Sequence, residues 1–302
     1  MDLLKKIFIK LGQLDRRFIF LLIGLSVLIP LLKPDWINIP IKPTAETKIV
    51  FQELNNLEAG DKVLISFAYG ASTMPEIHPM SIALLQHLFS KGVRVYTVPL
   101  WPEGLMMAKY AIEEVVLSDL FNIKEHVDYV SLPYKAGGEI IIRGIATDIR
   151  SIFTQDIENI LLSEIPMMEG INNISDFDFV FDLSAGVPGN AEWVQFACDE
   201  YNIPLSSGCT SIMVTDAIPY VESGQIRGIL AGMPGAAEYE QMVFEYLNKN
   251  KDNKYLNKEA VIIPGKATLR MPAQSIAHLL MVIFIIFGNI SYYLIRKKKT
   301  NV

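Results

Sequence analysis

Two hydrophobic segments, one near each end of the chain, constrain this sequence more than any other feature. Residues 18–32 are apolar apart from Ser26. A helix needs roughly 20 apolar residues to cross the hydrocarbon core of a bilayer. The first segment reaches that length only if the stretch to Trp36 is counted, and we place a transmembrane helix at 18–36. The second segment, residues 276–295, is interrupted only by His278, Gly288, Asn289 and Ser291. It is long enough to cross, and we place a transmembrane helix at 273–295.

Basic residues flank both segments on their outer sides. Positive side chains resist translocation, so the flank that carries them stays in the cytoplasm. We therefore expect residues 1–17 and 296–302 to be cytoplasmic tails of a two-pass protein, with residues 37–272 as an extracytoplasmic domain. The flanking basic residues are Lys5, Lys6, Lys10, Arg16 and Arg17 before the first segment, and Arg296, Lys297, Lys298 and Lys299 after the second.

The first segment also fits a cleaved signal peptide, because a basic region precedes its apolar region. No small-x-small cleavage site follows it, since Ile29-Pro-Leu-Leu-Lys-Pro-Asp-Trp36 occupies that place. This favours an uncleaved anchor. Trp36, Tyr292 and Tyr293 suit the membrane interfaces, where aromatic side chains are enriched.

The segment between the anchors is strongly acidic. It carries 17 lysines and arginines against 30 aspartates and glutamates, a net charge of −13, although the whole chain has a net charge of only −6. Such a charge repels nucleic acid, which we exclude as a partner. The two cysteines are too few for a disulfide framework. We expect separate thiols, with Cys198 buried on a helix.

Short apolar runs alternate with helical patterns throughout the central segment. This alternation predicts crossover units and a parallel sheet covered on both faces. The fold class is therefore α/β: a doubly wound, mostly parallel sheet in a three-layer sandwich between two transmembrane helices. The predicted strands are 62–69, 93–99, 127–132, 177–183, 203–206 and 227–231. The predicted helices are 47–57, 79–91, 102–121, 139–153, 190–201 and 236–247.

The loops that follow the predicted strands are rich in small, polar and aromatic residues. Ligands of such folds bind in the crevice beyond the carboxyl ends of the strands. Tight turns between a strand and a helix also need glycine, proline and serine for their backbone angles, which is the alternative explanation. On the first interpretation these loops form a ligand cleft with the following binding residues: Tyr69, Ser72, Trp101, Glu103, Asn190, Ser207 and Thr210.

Catalytic motifs are weak along the whole chain. No dinucleotide fingerprint, Walker lysine pattern or H-E-x-x-H occurs. Ser184 lacks the leading glycine of a nucleophile elbow, and Cys209 has no histidine nearby in the sequence. Asp182, Glu76 and His78 come from separate loops and could form an acid–base set or ligate a metal.

Glu76 and His78 have a simpler interpretation, in which they begin the helix after the first strand and the acid stabilises its positive end. The same interpretation applies to Glu238 and Glu240 near the start of the last helix of the domain. Gly137 and Gly138 precede a helix whose N-terminus could hold an anion, although the Glu139 carboxylate already occupies that positive end. We expect no metal and no cofactor.

One stretch carries a family resemblance. Ser223-Gly-Gln, followed by Gly228-Ile-Leu-Ala-Gly and Gly235-Ala-Ala-Glu-Tyr-Glu240, resembles a segment of uncharacterised bacterial membrane proteins with terminal anchors. The layout is similar to extracytoplasmic accessory subunits of gliding-motility-type ABC transporters. Lys62-Val-Leu-Ile-Ser-Phe, with a helix and Gly92-Val-Arg-Val after it, would suit their sheet domain. The resemblance implies a non-catalytic domain and supplies no activity.

These observations favour a membrane-anchored binding or scaffold module, a non-catalytic subunit of a membrane complex such as a transport complex. Its partners would be the lipid bilayer, another protein or a second copy of this chain, and a small ligand. The alternative is a membrane-anchored hydrolase or transferase with its site at the strand ends. A third interpretation is an assembly protein whose anchors pack through Gly288, Asn289 and Ser291.

Overall fold

The computed structural model describes residues 15–33, 37 and 40–300, and it divides into two compact units. Met1–Pro40 and Leu269–Val302 form the first, and Ile41–Thr268 form the second, which we call the globular unit. Trp36 and the basic residues before Asp15 lie outside the described residues, so the predictions made for them stay predictions.

The first unit contains the two apolar segments. Helix α1, Arg16–Leu32, is 17 residues long, and the Asp15 side chain caps it by accepting a hydrogen bond from the Arg17 backbone. Helix α10, Lys266–Thr300, contains a 29-residue segment, Lys266–Leu294, that is long and apolar enough to cross a membrane. Within the described residues it is the one helix that meets both requirements. The structure thus supports one of the two predicted spans.

The globular unit contains a six-stranded sheet in which every pair of neighbours is parallel. The strand order β3-β2-β1-β4-β5-β6 confirms the doubly wound α/β class and is Rossmann-like. The central strands are buried on both faces, as their continuous apolar runs predict. The strands are β1 Lys62–Ala68, β2 Arg94–Pro99, β3 Tyr129–Ser131, β4 Phe179–Ser184, β5 Leu205–Cys209 and β6 Ile229–Ala231.

Helices cover the two faces of this sheet. On one face α5 and α7 pack on the strands through a core that includes Ile142 and Trp193. On the other, α3 packs against both α4 and α9, and α2 lies against β6 and α9. The bounds are α2 Ala45–Asn55, α3 Met74–Lys91, α4 Gly104–Leu117, α5 Glu139–Thr147, α6 Ile149–Ile152, α8 Val214–Glu222 and α9 Gly232–Lys249; α7 consists of Asn190–Trp193, a π-helical turn Val194–Cys198, and Asp199–Tyr201.

Several elements differ from the prediction. Helix α3 begins at Met74, five residues before the predicted start, because Pro75 suits the first turn and Pro79 is tolerated inside the helix. The predicted helix 139–153 is broken at Asp148, whose extended backbone ends α5 and whose side chain caps α6. Strand β5 extends to Cys209, so Ser206–Cys209 belong to the sheet and not to a loop. Helix α8 was not predicted.

Candidate functional site

The strand order reverses between β1 and β4: the chain builds the sheet outward from β1 to β3 on one side and from β4 to β6 on the other. In open α/β sheets, ligands bind in the crevice at such a switch point, outside the carboxyl ends of the strands. The loops that flank it here are residues 69–73 after β1 and residues 185–189 after β4. The first of these loops contains two of the predicted binding residues, Tyr69 and Ser72.

Asp182 lies within β4, with no exposed surface, and not in the loop that follows. Its carboxylate accepts hydrogen bonds from the Ser66 hydroxyl and, at 2.6 Å, from the Ser184 hydroxyl. The indole Nε1 of Trp193 donates to Ser66 Oγ at 2.9 Å. Asp182 stands directly between Ser66 on β1 and Ser207 on β5 in the sheet register. A polar cluster therefore crosses the three central strands under α7.

Burial raises the pKa of Asp182 to about 7, because the charged form loses its hydration inside the sheet. The hydrogen bonds from Ser184 and Ser66 favour the carboxylate and oppose this shift. A group with such a pKa has the acid–base range of a catalyst. Its complete burial leaves no room for a substrate to reach it in this conformation.

His78 belongs to a different network. Its Nδ1 lies 2.9 Å from the Tyr69 hydroxyl, which is also 3.1 Å from Ser81 Oγ, and all three side chains are buried. Burial lowers the pKa of His78 to about 4, although the nearby charge of Glu114 opposes the shift. The imidazole is therefore neutral at pH 7. Tyr69 is fully buried beneath the loop and does not form the wall of an open cleft, as the sequence suggested.

Glu76, Glu103 and Trp101 join the strand-end loops to one another. Glu76 accepts hydrogen bonds from the backbone N–H and the hydroxyl of Ser211, at 2.9 and 2.8 Å. Glu103 accepts one from the backbone N–H of Ala71 at 2.9 Å. The Trp101 Nε1 donates to the Val187 carbonyl at 3.2 Å. These contacts link the loops after β1, β2, β4 and β5, and each one uses a polar group that could otherwise bind a ligand.

Of the five predicted catalytic residues, the structure joins Asp182 and Ser184 by a hydrogen bond and does not assemble the rest around them. Among the described residues, Asp182, Glu76 and His78 have separate hydrogen-bond partners and share none. Ser184 is fully buried and donates to Asp182. Burial, reinforced by the negative charge of Asp182, raises the pKa of Cys209 to about 12, so its thiol is not an activated nucleophile. Both cysteines are free and buried, as expected for Cys198.

The remaining predicted binding residues divide into buried and accessible ones. Asn190, Ser207 and Thr210 are buried, and the Asn190 Nδ2 has no hydrogen-bond partner among the described residues. Ser72 and Glu103 are exposed, and Trp101 is half-buried. An open surface at this edge of the sheet therefore includes only three of the seven predicted residues.

Apolar side chains are prominent on the same edge. Val187, after β4, is 73% exposed, and Ile212, after β5, is 86% exposed. Each lies three residues beyond Ser184 and Cys209, which are paired across the two strands, so the loops that carry them are neighbours. We call the set of Ser72, Trp101, Val187 and Ile212 the carboxyl-edge surface.

Sequence reasoning missed a group of titratable residues away from this edge. His126 Nε2 lies 2.6 Å from Asp156 Oδ2, and Glu125 is close enough for the three to share a metal ion. Asp156 is buried, and its other oxygen accepts hydrogen bonds from the backbones of Glu158 and Ile160. Both carboxylate oxygens are thus engaged, which suits a structural hydrogen bond that closes this loop. His126 and Asp156 are 30 positions apart in the sequence, a separation that gives no spacing signal to reveal the group.

Glu238 and Glu240 also have roles that the sequence did not indicate. Glu238 accepts hydrogen bonds from the Thr44 backbone and hydroxyl and from the Thr47 hydroxyl, at the start of α2. Glu240 accepts them from the backbones of Ala267 and Thr268, at the start of α10. The two acids therefore cap other helices and not α9 itself. They join α9 to both ends of the globular unit.

Comparisons with protein-family models, with characterised proteins and with solved structures found no match. The class that the fold defines is a Rossmann-like α/β protein with one helix able to span a membrane.

Proposed function

We propose that the protein is a membrane-anchored α/β binding module, a non-catalytic subunit of a membrane complex that contacts a partner protein through its carboxyl-edge surface. The observation that carries this proposal is that, at that edge, the polar side chains form hydrogen bonds between loops and the apolar side chains are exposed. Glu76, Glu103 and Trp101 hold the loops together, while Val187 and Ile212 are exposed. A cleft built for catalysis would direct its polar groups at a substrate instead.

Exposed apolar residues on a braced surface suit a protein partner. Burying apolar surface contributes about 25 cal/mol per Å² before the costs of association, and interface cores are depleted of charge. The braced loops would also lose little conformational freedom on binding, which lowers the entropic cost of the contact. The half-buried ring of Trp101 adds an aromatic group of the kind enriched at interfaces.

The second part of the proposal concerns how the protein lies in the membrane. In the two-pass arrangement, α1 and α10 both cross the bilayer, both termini are cytoplasmic and the acidic globular unit is extracytoplasmic. Tethers at both ends limit the orientations of the unit, which suits a subunit of a complex. The layout resembles accessory subunits of ABC transporters, so a transport complex is the partner that we propose.

A photo-reactive amino acid at position 212 of the full-length protein tests this function in cells. We expect it to form a crosslinked product with a protein partner, identified by mass spectrometry after detergent extraction. Leu117 provides the matched control, because it is 83% exposed and ends α4, away from the carboxyl ends of the strands. The same probe at position 117 should give little or no such product.

A charge in place of the apolar side chain gives a second test. Ile212→Asp should reduce capture of the partner, whereas Leu117→Asp should leave it unchanged. Recovery of monomer alone from both positions would contradict the proposal. The hydrolase or transferase alternative has less support, since Asp182 and Ser184 are fully buried and the networks of Glu76 and His78 are separate from theirs.

A further inference from the structure

An apolar groove lies beside the edge strand β6, on residues distinct from the carboxyl-edge surface. Its volume is about 450 Å³, within the range of small-molecule sites. Residues of α2, α8, β6 and α9 form it, and all of them belong to the globular unit. The central lining residues are Glu46, Val214, Ile218, Val221, Ile229 and Glu238.

One wall of the groove is apolar. Val214, Ile218 and Val221 project into it from a single face of α8, at helical spacing. Ile229 of β6 forms the floor and is almost fully buried, while Ile218 is 44% exposed. The wall therefore presents apolar surface that the unit itself does not cover.

The other wall is acidic. Glu46, Glu222 and Glu238 line the groove, and no lysine or arginine appears among its described lining residues. Glu238 already receives hydrogen bonds from Thr44 and Thr47. Glu46 differs, because its Oε2 is shielded from solvent and has no hydrogen-bond partner among the described residues. One oxygen of this partly buried carboxylate has therefore lost water without gaining a donor, and a cationic donor beside the carboxylate would compensate for that loss.

We infer that this groove binds an amphipathic amine, with an ammonium group at Glu46 and an apolar body along α8. The cation would complete the hydrogen bonding of the Glu46 carboxylate, and the apolar body would cover the exposed part of Ile218. The same chemistry belongs to a free alkylamine and to a lipid with an amine headgroup. This inference does not rest on the proposed partner contact, since none of its residues belongs to that surface.

Calorimetric titration of the full-length protein, in nanodiscs that contain only choline lipids, tests the inference. The probe is n-hexylammonium, and n-hexanol and hexanoate are the matched uncharged and anionic probes. We expect hexylammonium to bind at least tenfold more tightly than either, because only it supplies a charged donor. Equal binding of the alcohol would overturn the inference.

Variants connect this selectivity to the groove. Glu46→Gln should weaken hexylammonium binding about tenfold or more, since it keeps the shape of the side chain and removes the charge. Glu58→Gln, at an exposed glutamate outside the groove, is the control and should bind as the unaltered protein does. Ile218→Ser should weaken binding through the apolar wall. If the folded Glu46→Gln and Ile218→Ser proteins, checked by circular dichroism, bind hexylammonium unchanged, the assignment fails.

A last arm separates the two sources of the amine. Nanodiscs that contain phosphatidylethanolamine should reduce hexylammonium binding if the natural occupant is a lipid, and the reduction should disappear in Glu46→Gln. Unchanged binding in those nanodiscs indicates a free amine. Both results are compatible with an amine as the ligand, because the comparison of hexylammonium with hexanol tests that assignment separately.

Discussion

Asp182 shows how a parallel sheet can hold an acid at its centre. Serine hydroxyls flank it on β1 and β5 as well as within β4, and Trp193 closes the cluster. The sequence made Asp182 a candidate because it comes near the end of an apolar run. Strand β4 ends at Ser184, one residue beyond the predicted end at 183, and Asp182 is a core residue of the sheet and not part of the loop that follows.

The raised pKa of Asp182 predicts a pH-dependent stability. The folded protein holds this proton up to about pH 7, whereas an unfolded aspartate loses it near pH 4. Between these values the folded state binds more protons, so the free energy of unfolding falls as the pH rises. The contribution is fully present below pH 4 and is lost by about pH 8, a change of up to about 4 kcal/mol.

Asp182→Asn should remove this dependence, because the amide does not titrate. We expect the variant to lose less stability than the unaltered protein between pH 5 and pH 8, measured by urea unfolding in detergent with tryptophan fluorescence. Asp216→Asn, in the first turn of α8, serves as the control and should retain the original dependence. Parallel curves for Asp182→Asn and the unaltered protein would show that Asp182 titrates normally.

At the scale of elements, α9 connects the two ends of the globular unit. Glu238 caps α2 and Glu240 caps α10, and the two acids are two positions apart in the sequence. Close packing supports this arrangement, since a side chain at Gly235 would collide with the backbone of Leu230. The short segment Gly235–Glu240 thus holds both chain ends of the unit in place.

Glu238→Gln should lower the free energy of unfolding by about 1–3 kcal/mol, because three donors would lose a charged acceptor in a nearly buried position. The measurement is urea unfolding at pH 7. Glu245→Gln is the matched control on the same helix, where the glutamate is exposed and accepts from Gln241. It should change stability by no more than about 0.5 kcal/mol. Equal effects of the two substitutions would refute the capping role.

The sequence predicted some elements well for a physical reason. Strands β1, β2 and β4 are buried on both faces, so each is a continuous apolar run. Strand β5 was only partly predicted, because its serines, glycine and cysteine look like a turn although the sheet buries them. Helix α8 was missed because Pro219 interrupts its pattern, yet the helix accommodates it.

The candidate site was harder to predict than the fold. The contact between Glu76 and Ser211 joins residues 135 positions apart, and no local pattern encodes it. The sequence placed Asp182 and His78 in loops at the same edge of the sheet. In the structure they lie on opposite faces of the sheet, Asp182 under α7 and His78 on α3. Strand ends could be located from the sequence, but side-chain directions depended on bounds that were uncertain by a few residues.

At the scale of the whole molecule, the charge distribution makes a prediction about topology. The net charge of −13 in residues 37–272 and the basic clusters near both termini predict that the globular unit lies on the opposite side of the membrane from both tails. Protease treatment of intact spheroplasts should therefore degrade the globular unit. Tags at both termini should be protected until the membrane is opened.

The position of the N-terminal tag decides whether α1 spans, because at 17 residues it is shorter than a standard transmembrane helix. A protected tag that stays attached to the chain means that α1 crosses with a thinned bilayer or with help from the residues after Leu32. Loss of the tag during export would mean a cleaved signal peptide, and α10 would then be the sole anchor. If the globular unit and the C-terminal tag were both protected, α10 would not cross, and the extracytoplasmic assignment would be wrong. Each arrangement leaves a different set of protected fragments, so one gel distinguishes among them.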